Sequence, residues 1–169
     1  MTKCIHQKKI YPDSNGCFQL LMSFIVPLME NTIIVYTSDQ GFYLGEHGWY
    51  DKRFIYDESF KTPLLVAWPG QVKAGTRSDE LVQNLDFAQT FLEAAGVQAP
   101  EDMQGESLVP LLTGQQEKWT RDAVYYHYYE YPAEHMVNRH YAIVTKEYKL
   151  IHYFGEQPDE LFSLANDPR

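Results

Sequence analysis

The sequence predicts an α/β fold that gives way, after about residue 115, to a small antiparallel portion. Three observations predict it. Two short runs, Thr32–Thr37 and Leu64–Trp68, are rich in β-branched and apolar residues on both faces, the pattern of strands covered on both sides as in a parallel sheet. A helical period follows from Leu85 to Ala95. Beyond it come short β-type runs at Ala123–Tyr131, Tyr141–Thr145 and Tyr148–Tyr153.

Taken in order, residues 1–17 show no clear period. Phe18 to Met29 reads as a helix that Pro27 would end early. The apolar run Cys17–Met29 does not read as a signal peptide, because Asp13-Ser14-Asn15-Gly16 interrupts it and no small-residue cleavage site follows. Thr32–Thr37 then ends abruptly at a polar, glycine-bearing loop, and chemistry in open α/β sheets gathers at the carboxyl ends of strands. Leu64–Trp68 is stopped by Pro69-Gly70, and Val72–Thr76 is a turn. In the helix, Asp86 sits near the positive end of the dipole, Phe87, Phe91, Leu92 and Ala95 form an apolar stripe, and Gly96 is a C-cap. Residues 97–122 are loop-rich, with Leu108–Leu112 interrupted by Pro110. Lys146-Glu147 signals a hairpin, Glu160–Leu164 a last short strand, and Asn166-Asp167-Pro168 a closing turn. The expected division is 1–30, an atypical N-terminal segment; 31–115, an α/β portion; and 116–169, a small antiparallel subdomain.

The chain of 169 residues is 44% hydrophobic and 22% charged, ordinary for a globular protein. A formal charge of −9 argues against nucleic acid and anionic membrane as partners, which need a basic face, but not against a small anion bound in a local cleft. Two cysteines, Cys4 and Cys17, make no metal-site spacing and no disulfide framework, and no apolar run is long enough to span a bilayer.

The chemistry concentrates in "TSDQGFYLGEHGWYDKRF", Thr37 to Phe54. Asp39 and Gln40 offer a carboxylate and an amide carbonyl side by side, hard oxygen donors suited to calcium or magnesium. Gly41 lets the backbone turn sharply beside them. Two oxygens do not fill a shell of about six to eight ligands, and for Asp-Gln-Gly alone a plain capped turn is the commoner reading. Glu46, His47, Lys52 and Arg53 follow closely. An ammonium near a metal suits a sulfate or phosphate ester, whose charge must be held while a bond to oxygen breaks, and His47 can bind an anion or move a proton. Each of these residues alone also reads as a solvated loop polar.

The longer stretch "NTIIVYTSDQGFYLGEHGWYDKRFIYDESFKTPLLVAWPG" resembles the second half of the type I sulfatase catalytic domain, in the alkaline-phosphatase-like superfamily. The resemblance continues through "LVQNLDFAQTFLEAAGV", "MQGESLVPLLTG", "RDAVYYHYYEYP", "YKLIHY" and "ELFSLANDP", covering about residues 31–169 in the expected order. It implies part of a large α/β sandwich with a small C-terminal antiparallel subdomain, and sulfate esters, often on carbohydrates, as substrates. By resemblance, Asp39 and Gln40 match the second pair of calcium ligands and Lys52 the lysine that grips the sulfate, with His47 a neighbour of the site. The family nucleophile, a formylglycine made in a C-x-P-x-R or related signature, has no match. Cys4 is followed by Ile-His-Gln-Lys and Cys17 by Phe-Gln-Leu-Leu. The family's first metal-binding Asp pair is also unmatched, which implies an N-terminal half not contained in this chain, weak calcium affinity and a catalytically dead chain on its own. Family habit implies a periplasmic or secreted location. A phosphodiesterase or phosphatase of the same superfamily is the enzyme alternative, but its sites use two transition metals and several His and Asp ligands. A non-catalytic glycan-binding remnant is the other.

The tyrosine run supplies a further expectation. On a strand, Tyr125, His127, Tyr129 and Tyr131 share one face, and Tyr126, Tyr128 and Glu130 the other. Aromatic faces stack on sugar rings, so His127 and its neighbours suit a sulfated glycan, although buried rings with hydroxyls turned to water are the commoner arrangement. Arg139, in the following loop, is the candidate for a second anion contact on a multiply charged glycan.

Overall fold

The computed structural model describes residues 30–132 and 134–166. The segment read as a helix from Phe18 to Met29 and the end of the closing turn at Asp167-Pro168 lie outside the described residues. The architecture is α/β with two antiparallel sheets, one of two strands and one of four.

β1 (Ile34–Thr37) pairs with β2 (Leu64–Ala67), Ile34 opposite Ala67 and Thr37 opposite Leu64. The expected parallel relation is therefore corrected: this pair is antiparallel. An apolar two-faced run reports burial and not strand direction, and even the burial is incomplete, since Tyr36 is 61% exposed. α1 is a single turn, Asp57–Phe60, in the long connection between these strands.

α2 (Asp86–Ala94) falls within the expected span. Its end is a full Schellman cap: Val97 N–H donates to Leu92 O at 2.8 Å and Gly96 N–H to Glu93 O at 2.9 Å, with Gly96 at φ +69. The expected apolar stripe is only half right. Phe87 and Phe91 line an apolar recess with Val35 and Val66, yet Phe91 is 47% exposed, while the buried residues of the helix are Asp86, Gln89 and Thr90. The reason is a polar network beside that recess, in which Thr90 Oγ1 accepts from Leu108 N–H at 2.8 Å and donates to Asp86 O at 2.6 Å. α3 (Val109–Leu112) is one helical turn, with Pro110 in its first turn where no backbone donor is needed.

The C-terminal sheet runs β3 (Ala123–Tyr128), β4 (His140–Thr145), β5 (Tyr148–Tyr153) and β6 (Glu160–Ser163), each strand antiparallel to the next. The expected Lys146-Glu147 hairpin is present, closed by Tyr148 N–H donating to Thr145 Oγ1 at 2.9 Å. β3 stops at Tyr128, three residues short of the expected Tyr131.

The inner face of this sheet makes the main core, and the polar loop of the sequence supplies its other half. Val124, Ala142, Val144, Ile151 and Tyr153 pack with Tyr43, Phe54, Ile55 and Phe60. Each such side chain, fully buried, is worth about 1.5–3 kcal/mol, so the loop after β1 is anchored on the C-terminal sheet rather than hanging from its strand. An ion-pair strap adds to this: Lys149 on β5, 2% exposed, reaches Asp57 Oδ1 at 2.6 Å, and Lys61 reaches Asp57 Oδ2 at 2.6 Å. Burial pushes the Asp57 carboxyl up, but the two ammonium groups outweigh it and hold the group below its ordinary range.

His140 sits at the centre of this core, fully buried among Phe54, Tyr126, Tyr128 and Tyr153 at centroid distances of 5.4–5.7 Å. Its Nδ1–H donates to Asn138 O at 2.8 Å, and Nε2 is buried with no hydrogen-bond partner. Burial holds its pKa below the ordinary 6.5, against weaker opposing effects of the Asn138 carbonyl and the Glu160 carboxylate. The folded state therefore favours neutral imidazole. Its contribution to stability is complete above the unfolded value and is lost as pH falls from there toward the lower folded value. Urea denaturation at a series of pH values should show stability declining below about pH 6.5. In His140→Phe, which keeps a ring in the cage, that decline should be shallower. An identical slope in both proteins would refute the assignment.

The candidate active-site loop

The loop begins where β1 ends. Ser38 Oγ donates to Gln40 O at 2.7 Å and lies 3.3 Å from Asp39 Oδ1, and Thr62 Oγ1 donates to Ser38 O at 3.4 Å. Asp39 is exposed and Gln40 half-buried. Gly41 N–H then donates to Ser59 O at 2.8 Å.

From there the chain makes a lobe that folds back on itself. Tyr43 N–H donates to Asp51 O at 2.7 Å and Gly45 N–H to Trp49 O at 2.9 Å, while Tyr43 Oη donates to Phe54 O at 2.8 Å. Asp51 organises the return: its Oδ1 accepts from Lys52 N–H at 2.7 Å and from the Arg53 guanidinium, and its Oδ2 lies 3.8 Å from His135 Nδ1. The segment between β3 and β4 thus reaches the turn that carries Lys52.

Ser59, 6% exposed, joins the two halves of the loop. Its carbonyl accepts from Gly41 and its Oγ donates to Lys52 O at 2.5 Å. The backbones of the Asp39-Gln40-Gly41 turn and of Lys52 are therefore held by one buried residue at the end of α1. Nothing in the composition around Ser59 marks this role; it is a small polar residue in "DESF". Asn84 is a second residue that sequence reasoning did not single out. Its Nδ2 donates to Asp39 O at 3.4 Å, and its Oδ1 is buried without a partner.

The other predicted residues fall elsewhere. His47 occupies a left-handed conformation, φ 54, stacked on Tyr56 at 4.5 Å, with Nε2 3.3 Å from Glu58 Oε2. These contacts make it a latch between the tip of the lobe and α1. His127 and Arg139 come together, but on the outer face of the C-terminal sheet, opposite the Phe54 and Tyr56 side: His127 stacks on Phe154 at 5.8 Å, and the Arg139 guanidinium lies 5.6 Å over the same ring. The inner tyrosines are structural, as Tyr126 Oη donates to Arg53 O at 2.9 Å.

A divalent ion was expected at Asp39 and Gln40. The donors fit calcium in kind, since both are hard oxygens and Asn84 Oδ1 is a third hard oxygen beside the turn with its acceptor capacity unused. They fall short in number: among the described residues there is no group of three or more His, Cys, Asp or Glu able to hold a metal. The loop therefore offers hard oxygen donors without a complete set of them.

The acidic–amide pair thus stands at a strand end, with its turn tied through Ser59 to the backbone of Lys52. The profile of the family "N-sulphoglucosamine sulphohydrolase, C-terminal" matches residues 45–169. The chain belongs to the sulfatase family, matching its C-terminal part. It is 53% identical over 145 residues to an N-acetylglucosamine-6-O-sulfatase of Bacteroides thetaiotaomicron, covering 83% of this chain and 26% of that protein. A solved sulfatase-fold structure in complex with its substrate D-glucosamine-2-N,6-O-disulfate superposes with a TM-score of 0.83 at 49% identity, covering 89% of this chain and 31% of the other. A 2-O GAG sulfatase superposes with a TM-score of 0.77 at 28% identity, over 88% of this chain and 33% of that one. The chain thus spans between a quarter and a third of the length of these relatives. Among the described residues no helix is long and apolar enough to cross a membrane.

Proposed function

We propose that this chain is the C-terminal portion of a sulfatase acting on sulfated glucosamine-type carbohydrates, with Asp39 and Gln40 as calcium ligands and Lys52 as the sulfate-gripping cation. The observation that carries the reading is the pair of hydrogen bonds at Ser59, whose carbonyl accepts from Gly41 N–H and whose Oγ donates to Lys52 O. It fixes the backbone of the oxygen pair to the backbone of the ammonium, as an ester site with one metal and one lysine requires. The glucosamine class is supported by the substrate of the solved relative, D-glucosamine-2-N,6-O-disulfate.

In hydrolysis of a sulfate ester, water adds across the S–O bond, giving the free hydroxyl and hydrogen sulfate. Calcium, when bound, would neutralise charge on the sulfate oxygens. Lys52 would hold the same anion electrostatically, and Asp51 and Ser59 would fix where its side chain starts. The nucleophile signature is absent from this sequence, so the chain alone is inactive; the chemistry requires a residue that this chain does not carry.

Calcium titration by calorimetry tests the metal half. The expected dissociation constant is about 10⁻⁴–10⁻³ M or weaker, as for an incomplete shell, with a further loss of about tenfold in Asp39→Asn. Absence of any difference between the parent and Asp39→Asn would overturn the assignment. Turnover of an aryl sulfate by the purified chain, abolished by Asp39→Ala, would overturn its inactivity.

A further inference from the structure

We propose that the outer face of the C-terminal sheet carries a second subsite, for a sulfated sugar residue of a longer glycan, built by Tyr129, His127, Phe154 and Arg139. The inference rests on the carbohydrate reading above but not on Lys52 or the calcium ligands.

The four side chains form a column. The Tyr129 and His127 rings are stacked at 3.8 Å with an interplanar angle of 12°. His127 and Phe154 stack at 5.8 Å and 19°, and Arg139 caps Phe154 at 5.6 Å. The backbone holds this order, because Phe154 N–H donates to Arg139 O at 2.9 Å, extending the β4–β5 ladder one step past the paired residues His140 and Tyr153. Tyr125 Oη lies 2.9 Å from His127 Nδ1. In the tautomer where that hydroxyl donates, Nε2–H of His127 is left as a donor.

The column does not serve the core. It stands on the face opposite Val124, Ala142 and Ile151, and Tyr129 is 71% and Phe154 42% exposed. Arg139 is exposed, and among the described residues it enters no salt bridge. Two acids at this end of the sheet are engaged by other groups, Asp159 by His152 at 2.8 Å and Glu130 by Tyr128 Oη at 3.3 Å. An unpaired guanidinium oriented over a ring, beside a largely exposed aromatic face and an imidazole donor, complements a pyranose bearing an anionic ester: the ring stacks on Tyr129, and the sulfate takes the planar fork of Arg139. Cation–π contact with Phe154 preorganises that fork. The column lies at the end of the sheet from which residues 129–139 depart, and His135 of that connection approaches Asp51 beside Lys52.

The test is binding of a heparin-derived, fully sulfated tetrasaccharide to the 169-residue chain, by calorimetry and by amide chemical shifts. Arg139→Ala is expected to weaken binding about tenfold and Tyr129→Ala severalfold, while Lys118→Ala, which removes an exposed cation of another segment, leaves this binding within about twofold. The desulfated tetrasaccharide is expected to bind at least about tenfold more weakly. Unchanged affinity in both Arg139→Ala and Tyr129→Ala overturns the proposal, as does no binding at all. Loss confined to Lys118→Ala overturns it while leaving the active-site reading intact. Equal binding of the desulfated sugar removes the anion contact. Shifts confined to Ile143, Leu150 and Leu161, elsewhere on the same face, place the contact away from the column and also overturn it.

Discussion

Gly41→Ala is expected to destabilise the chain by on the order of 3 kcal/mol. A β-carbon built on Gly41 would stand 1.8 Å from the Glu58 carbonyl oxygen, 2.9 Å from its carbon and 3.3 Å from Ser59 Cα. All three are backbone atoms at α1, so no side chain can rotate away. The closeness follows from the hydrogen bond of Gly41 N–H to Ser59 O, which draws the turn onto α1. Relief of the clash must therefore break the contact that ties Asp39 and Gln40 to the Lys52 turn. Gly114→Ala is the control, because its φ of +80 strains an alanine while its surroundings are open, and about 1–2 kcal/mol is expected there. Urea midpoints of the two variants check this. A Gly41→Ala protein no less stable than Gly114→Ala would mean that the turn is free to move away from α1, and the fixed relation of Asp39 to Lys52 would go with it.

The same contact explains how far the sequence could be read. The elements were legible because their signals are local: β-branched runs, the stripe and glycine cap of α2, the Lys146-Glu147 hairpin. The polar loop stood out as a candidate site because hard oxygens, glycines and a lysine crowd into one stretch. Its anchoring was not. Tyr43, Phe54 and Ile55 look like scattered loop apolars, and their partners on β3 to β5 lie about a hundred residues further on. Strand direction was unreadable for a related reason, since an apolar run has the same composition in either sense. His127 was read on a tyrosine-rich strand and Arg139 in the loop after it, and both meet at the Phe154 ring. Which face looks toward the loop depends on what packs beneath, and Phe54 and Tyr56 cover the face of Tyr126 and Tyr128. Asp86 was read as a helix-dipole carboxylate, a role any exposed acid at a helix start can fill. Its distant partner Arg121 has no local signature.

That partnership carries the second large expectation: Asp86→Ala should cost about 3–5 kcal/mol and Arg121→Met distinctly less. Asp86 is fully buried and accepts four hydrogen bonds. Arg121 gives two, at 2.5 and 2.7 Å, Gln83 N–H one at 2.6 Å and Glu106 N–H one at 3.0 Å. Burial works against the guanidinium charge, but Asp86 and Glu106 more than compensate and raise its pKa. Removing the carboxylate takes away the two short bonds of a buried cation, leaving it Glu106 at 3.4 Å, and takes the acceptor from two backbone donors. Removing the guanidinium leaves Asp86 with both backbone donors and the stem of methionine near Trp119, which lies 4.9 Å from the Arg121 guanidinium. The double variant should cost less than the sum of the two, because the second change removes a buried charge that has lost its main partner. Gln83 precedes Asn84, whose amide holds Asp39 O, so Asp86→Ala should also speed hydrogen exchange at Gly41 while Arg121→Met leaves it nearly unchanged. Additive costs, or a Gly41 amide equally protected in all three proteins, would mean that this buried pair stabilises only its own corner and that the active-site turn is positioned by Ser59 alone.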